Sequence, residues 1–347
     1  MYCLKNLPAT SAIEIIIMSM AISAHSSTSD QSTDSLHGGR SMADLRLFAM
    51  CWLLVHPTRG FGHDGQNRRA IISDIVSKGV LSAAVLGTWP LAPESANAST
   101  KDPKTGVLLP SEGEIEGALP AAWDDDDNPF LSMSSDKFSR LDSADDADFY
   151  TDPRFVEHVD ENAVRTMTSY LSDDFLKPGD AVLDLCSSWT SHIDPVAKEK
   201  LGLKRVAGLG MNDKELSSNP SLTDWKVLDL NKKGATLPYD DSTFDSVICQ
   251  LSIDYLTRPL ETMKEVGRVM KPGGRIAVLF SNRLFIQKAV GLWTGADDID
   301  HAYTVGAYLR YSQGGFDGIK AKDLSQRKGK ARVIIGDPLY VVTAIKR

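Results

Sequence analysis

The apolar positions of this chain fall into short continuous runs separated by longer mixed segments, and that spacing carries the fold. Runs at 181–185, 205–209, 226–230, 246–251 and 275–280 are too short for helices. They are also too continuous for strands with one wet face, so they predict strands buried on both sides, as in a parallel sheet. Ahead of the first run, Asp160 stands where it can cap a helix reaching to about Leu176. Ala163, Met167, Tyr170 and Leu171 share one face of it at helical spacing, and Pro178-Gly179 ends it. Segments of helix or loop length separate the strands. This alternation predicts an α/β fold, a doubly wound and mostly parallel sheet with helices on both faces. Ligands of such sheets sit at the carboxyl ends of the strands, near the switch in strand order. The residues just after each strand are therefore the ones to read for chemistry.

The first such place is the most informative. Residues 181–192 read AVLDLCSSWTSH, an apolar strand carrying Asp184 near its end and then a turn, 186–192, without a glycine. A turn that cradles a nucleotide ordinarily uses glycine to let backbone approach the ligand closely. Strand and turn thus point in different directions.

Composition bounds the alternatives. The chain's 347 residues exceed one ordinary domain, and 42% hydrophobic with 24% charged residues is the make-up of a soluble globular protein. A net charge of −8 argues against nucleic acid as a partner, whose phosphates need a basic face, and leaves small-molecule substrates open. Of the four cysteines, Cys3 and Cys51 lie in a segment expected to be removed. Cys186 and Cys249 then remain, in no metal-ligand spacing, so no metal is expected. No apolar run after residue 99 reaches the ~18 residues of a membrane span. Neither composition nor motif specifies an oligomeric state.

The first hundred residues read as addresses. Arg46 precedes the apolar core 47–55, which resembles a secretory signal, and translation starting at Met42 would place that core correctly. The other apolar stretch, 13–24, carries Glu14 and makes a poorer signal. A second address follows, with Arg68-Arg69, the apolar run 80–87 and the small-residue site Ala96-Asn97-Ala98. Together these resemble a twin-arginine thylakoid-transfer signal, and Phe61 resembles the aromatic residue opening transit peptides of complex plastids. The expectation is a plastid (chloroplast) protein routed to the thylakoid lumen; the alternative is the secretory pathway. Residues 99–135, with Pro103, Pro110, Pro120 and the run Asp124-Asp125-Asp126-Asp127, read as an acidic disordered linker. The organisation expected is a presequence over 1–98, the linker over 99–135 and one domain over 136–347.

Two further blocks carry a family resemblance. Residues 237–248, LPYDDSTFDSVI, and 262–275, TMKEVGRVMKPGGR, resemble the segments around the fourth and fifth strands of class I methyltransferases that use S-adenosylmethionine (SAM), in the type 11 group. The Arg-x-x-Lys-Pro-Gly-Gly pattern is their most specific part. The resemblance spans about residues 140–347. It implies a Rossmann-like seven-stranded sheet with a terminal antiparallel strand, supplied here by the residues following Asp337-Pro338.

Carried onto this chain, the resemblance implies SAM as cofactor and a set of site residues. Asp184 takes the place beside the methionine moiety, and Cys186, Ser187, Ser188 and Ser191 form the cofactor turn, the serines standing where glycines normally sit. The acidic residue that usually ends the second strand and accepts the ribose hydroxyls is here Gly210, with Asn212 or Asp213 within reach further on. Asp229 keeps the adenine position and Leu230 flanks the ring, while Gln250 stands at the end of the fourth strand. The sulfonium is already an activated leaving group, so the protein mainly orients the acceptor, and a base is needed only where the acceptor must lose a proton. Base candidates are His192, Asp254 and Tyr255. Arg283 offers a guanidinium to an anionic substrate or forms an ion pair. Tyr150, Arg154, Phe155 and His158 stand where the family closes a lid. Cys186 and Cys249 should lie on adjacent strands as two buried free thiols, since such strands rarely offer disulfide geometry. The function implied is methyl transfer to a small molecule. The competing reading is a methyltransferase-like binding or assembly factor in the plastid that has lost the cofactor.

Overall fold

The computed structural model describes residues 100–104 and 106–347, so the two expected addresses lie outside the described residues. The centre of the fold is β1, Ala181–Leu185, in which every residue is buried. It pairs in parallel with β2, Arg205–Gly210, on one side and β4, Phe244–Gln250, on the other. With β3 (Asp224–Val227), β5 (Met270–Phe280), β6 (Phe316–Asp323) and β9 (Tyr340–Lys346), these strands form a seven-stranded sheet ordered β3-β2-β1-β4-β5-β9-β6. Only β9 runs against its neighbours β5 and β6. A small ribbon pairs β7, Arg327–Lys328, with β8, Val333–Ile334. The doubly wound sheet with a final antiparallel strand is therefore as expected, and the strand order reverses between β1 and β4, where a ligand crevice belongs.

Alternation along the strands builds two cores. Leu183, Leu185, Val247, Cys249, Ile276 and Val278 enter one, while Val182, Ile248, Ala277 and Leu279 enter the other with Met167 and Leu171. The latter two come from α2, Glu161–Ser169, in a chain where α1 is the single turn Asp146–Phe149. As expected, Asp160 caps α2 by accepting from the Ala163 amide at 3.0 Å. The helix then widens into a π-helical turn, Tyr170–Phe175, which keeps Leu171 and Phe175 on the sheet. Burying a side chain such as Leu171 contributes about 1.5–3 kcal/mol.

Three boundaries differ from the sequence reading. β3 ends at Val227 instead of Leu230, because it is an edge strand whose Trp225 and Val227 are partly exposed, so continuous apolarity did not mark its end. β5 begins at Met270, with Lys271 to Gly274 looping out between paired Met270 and Arg275. Ser281-Asn282-Arg283, which read as ending the fifth strand and opening a helix with Gln287 and Lys288, lead into a series of turns. After α3 (Pro195–Leu201), α4 (Asp213–Ser218) and α5 (Pro259–Val269), helices resume with α6, Gly291–Thr294, and α7, Asp298–Tyr311.

The fourth difference is larger. Residues 100–135 carry little regular structure, yet they are packed on the domain. Ile115 is fully buried, Trp123 stacks on Tyr303 of α7, and Asp125 pairs with Arg310 at 2.6 Å. Asp102, buried, accepts from the Asn282 amide at 2.7 Å and pairs with Arg283 at 3.0 Å. The packed domain thus includes this strap, in place of a free linker ending at 135. Its apolar anchors are too few to show a period, which is why composition alone read it as solvated. Among the described residues no helix is long and apolar enough to cross a membrane.

Candidate active site

The loop after β1 is organised by Asp184 instead of by glycine. Asp184 is 1% exposed, and its Oδ2 accepts from the Ser187 and Ser191 hydroxyls at 2.6 and 2.7 Å. The Gln250 amide donates to Oδ1 at 3.3 Å. Burial raises the carboxyl's pKa, and the serine and glutamine hydrogen bonds oppose that rise. Asn219 closes the knot by donating to Ser191 Oγ and to the Ser188 carbonyl, both at 2.9 Å.

None of the three serines takes a positive φ. The left-handed positions are Cys186, at φ 60°, and His192, at φ 49°, the two ends of the turn. Such a conformation costs an L residue about 1–2 kcal/mol, which the hydrogen bonds converging on Asp184 offset. Ser187 and Ser191 have their hydroxyls committed to Asp184, and Ser188 donates to Glu215 Oε2 at 2.6 Å.

At the end of β2, Gly210 is a steric necessity. A Cβ there would lie 2.1 Å from the Ser187 carbonyl oxygen and 3.2 Å from Leu216 Cδ2. No side chain, acidic or otherwise, fits at 210 while the loop holds this shape. Asn212 does not substitute for it. Its Oδ1 caps α4, Asp213–Ser218, by accepting from the Lys214 and Glu215 amides, and its Nδ2 donates to the Tyr150 and Thr151 carbonyls. Asp213 is occupied by the Trp225 indole at 2.9 Å. Asp229 and Leu230 do line the cleft, Asp229 accepting from the Asn231 amide at 2.8 Å.

Asp184, Ser187, Ser188, Gly210, Asn212, Asp229 and Leu230, but not the fully buried Ser191, border one cleft of about 360 Å³ at the carboxyl ends of β1, β2 and β4, the size of a small-molecule site. The segment between α1 and α2 covers it as a lid. Tyr150, Arg154 and His158 line the cleft as expected, whereas Phe155 stands half-exposed on the rim, edge-on to Trp189. The Arg154 guanidinium lies 4.2 Å over the Phe149 ring. Trp189, Tyr255 and Phe285 make the rest of the wall aromatic.

The three base candidates separate. His192 lines the cleft, its Nδ1 2.8 Å from Gln250 Oε1 and its Nε2 3.0 Å from the lid residue Glu157. Gln250 Nε2 faces the Ser191 carbonyl, which only accepts, so Oε1 faces His192 and Nδ1 is a donor. Tyr255 also lines the cleft and accepts from the Phe285 amide at 2.9 Å, with burial pushing its hydroxyl pKa up. Asp254 is buried behind the wall, and burial raises its carboxyl to about 8, so it is mostly protonated at neutral pH. Arg283 is an ion-pair residue, held between Asp102 and Asp337. Both thiols are free; Cys249 is buried, but Cys186 is only partly so and faces the cleft.

The strands β2 to β4, and β5 as far as Val278, fall within one sequence pattern. A sequence model of the family described as "Methyltransferase domain", type 11, matches residues 190–278. Residues 190–278 thus match the type 11 methyltransferase family. The chain is 31% identical over 115 residues to the 2-phytyl-1,4-beta-naphthoquinone methyltransferase, chloroplastic, of Arabidopsis thaliana, covering 31% of this chain and 44% of that protein. It is 29% identical over 111 residues to the demethylmenaquinone methyltransferase of Bacillus cereus, covering 30% of this chain and 46% of that one. It thus spans under half the length of either relative. Among solved structures, a SAM-dependent methyltransferase of Aquifex aeolicus superposes with a TM-score of 0.34 at 20% identity, covering 54% of this chain and 99% of that one.

The methyltransferase match begins at residue 190, inside the loop. Asp184, Ser187 and Ser188 therefore lie outside the matched residues. Sequence reasoning missed Glu157, Glu215 and Asn219. Each is polar on a lid or short helix, and only the packing of that element against the loop reveals its partner.

Proposed function

We propose that this domain binds SAM and transfers its methyl group to a small, aromatic acceptor of the quinol class. The observation that carries the reading is the cleft at the strand ends in which Asp184, Asp229 and Leu230 border aromatic walls. The naphthoquinone and menaquinone methyltransferases named among its relatives favour the same acceptor class. Bound SAM supplies a methyl group on a positively charged sulfur. The protein's own contribution is to orient the acceptor between Tyr150, Trp189, Tyr255 and Phe285 and to exclude water beneath the lid. His192, oriented by its Nδ1 donating to Gln250, accepts a phenolic proton at Nε2, from which the lid residue Glu157 must first withdraw. Tyr255 positions the acceptor by its hydroxyl, and Asp254, neutral behind it, takes no proton at neutral pH.

Calorimetry of the protein with SAM and with S-adenosylhomocysteine should give binding in the micromolar range, and a reduced naphthoquinone should then gain one methyl by mass spectrometry. Absence of binding at millimolar ligand would overturn the enzyme reading and leave the plastid binding or assembly factor. His192→Ala should lower kcat by about 10²–10⁴-fold with SAM affinity little changed.

We also infer that residues 1–98 deliver the protein to a plastid and onward to the thylakoid lumen; the chloroplastic relative supports the plastid step. Residues 1–100 fused to a fluorescent protein should light the plastid. A cytosolic or secreted signal would reject this address.

A further inference from the structure

We propose that Glu215 supplies the carboxylate that accepts the cofactor's ribose hydroxyls, from the first turn of α4 instead of from the end of β2. The inference rests on the reading of SAM as cofactor. Its starting point is the steric exclusion at Gly210, where the Ser187 carbonyl oxygen occupies the space of a Cβ. A vicinal diol donates two hydrogen bonds, which one carboxylate can accept together at charge-assisted strength, and position 210 is closed to one.

Glu215 is the carboxylate placed to replace it. It is 7% exposed and lines the same cleft. Leu216, its neighbour in the chain, packs directly against position 210. The carboxylate sits between the loop and the lid, accepting from Ser188 Oγ and from the Arg154 amide, both at 2.6 Å. A carboxylate offers about four lone-pair directions; these two donors leave one free on each oxygen, the number a diol requires.

The other carboxylates of the cleft are held elsewhere. Asp184 is encircled by Ser187, Ser191 and Gln250. Asp146 is paired with Arg140 at 2.8 Å and accepts from Asn231. Glu157 is on His192. Asp229 turns back on the Asn231 amide beside Leu230. Of these five, only Glu215 belongs to the helix that follows Gly210, next to Leu216, whose side chain packs on position 210.

The test titrates the wild-type protein and E215Q with S-adenosylhomocysteine and with its 2′-deoxy and 3′-deoxy analogues, with thermal melts alongside. In the wild type, each deoxy analogue should bind about tenfold to a hundredfold more weakly than the parent. E215Q should lose about the same factor for the parent and bind the deoxy analogues nearly as the wild type does. If E215Q weakens parent and analogues equally, Glu215 merely holds the loop and the proposal fails. Equal wild-type affinity for parent and deoxy analogues overturns it without recourse to any variant, even one that folds poorly. No binding of the parent by the wild type removes the cofactor reading and this assignment with it, whereas wild-type binding that E215Q leaves unchanged removes this assignment alone.

Discussion

Gly210→Asp, which restores the acidic residue expected at the end of the second strand, should destabilise the protein and abolish cofactor binding instead of improving it. The new Cβ would stand 2.1 Å from the Ser187 carbonyl oxygen and 3.1 Å from its carbon. That carbonyl belongs to main chain held in place by the Ser187 amide, which donates to Leu209 at 2.8 Å. Nothing at the contact is the flexible end of a side chain, so relief requires moving β2 from the loop and disturbing the hydrogen bonds on Asp184. Overpacking of this kind costs about 3 kcal/mol, or a fall of about 6–12 °C in Tm for a domain of this size. Gly210→Ala adds the same Cβ without the charge and should lose a comparable amount by thermal melt. An Asp variant that melts like the wild type and binds SAM more tightly would refute the steric account.

Asp254→Asn should have the opposite sign and make the protein more stable at pH 8. Asp254 is 4% exposed, and among the described residues its Oδ2 has no hydrogen-bond partner. Burial raises its carboxyl from 3.8 to about 8. Between those values the folded chain holds a proton that the unfolded chain has released, so stability falls as pH rises through the window, and the penalty is complete above pH 8. At about 1.36 kcal/mol per unit the penalty is on the order of 3–6 kcal/mol. An asparagine, neutral at every pH, removes it. Urea melts should show Asp254→Asn equal to the wild type near pH 4, several kcal/mol ahead at pH 8, and with a flatter slope between. A variant with the same pH slope as the wild type would show that the carboxyl is not the source.

Much of this protein was legible before any coordinates. The run at 181–185 is a strand along its whole length because it is buried on both faces, and continuous apolarity is then a reliable mark. Asp160 caps its helix because that interaction spans three residues and needs no distant partner. Asp184, Asp229, Leu230 and Gln250, which the family resemblance implied, line one cleft. What was misread depended on remote contacts. The strap 100–135 has the composition of a linker and is held by Ile115, by Trp123 on Tyr303 and by Asp102 on Arg283, pairings separated by more than a hundred residues of chain. Asn212 was open to the ribose in the sequence, but its side chain is used up on α4 and the lid.

By itself, then, the sequence determined the α/β sheet and its alternation of strands and helices, because hydrophobic period is local, and the resemblance marked the acids near the carboxyl ends of the first and third strands. Only the tertiary structure decided how a loop without glycine can close. Cys186 and His192 take the left-handed positions, Ser187 and Ser191 turn inward onto Asp184, and the Ser187 carbonyl settles over β2 so that residue 210 must have no side chain. Those contacts join residues on separate strands, and their energies exist only once β1, β2 and α4 have been brought together.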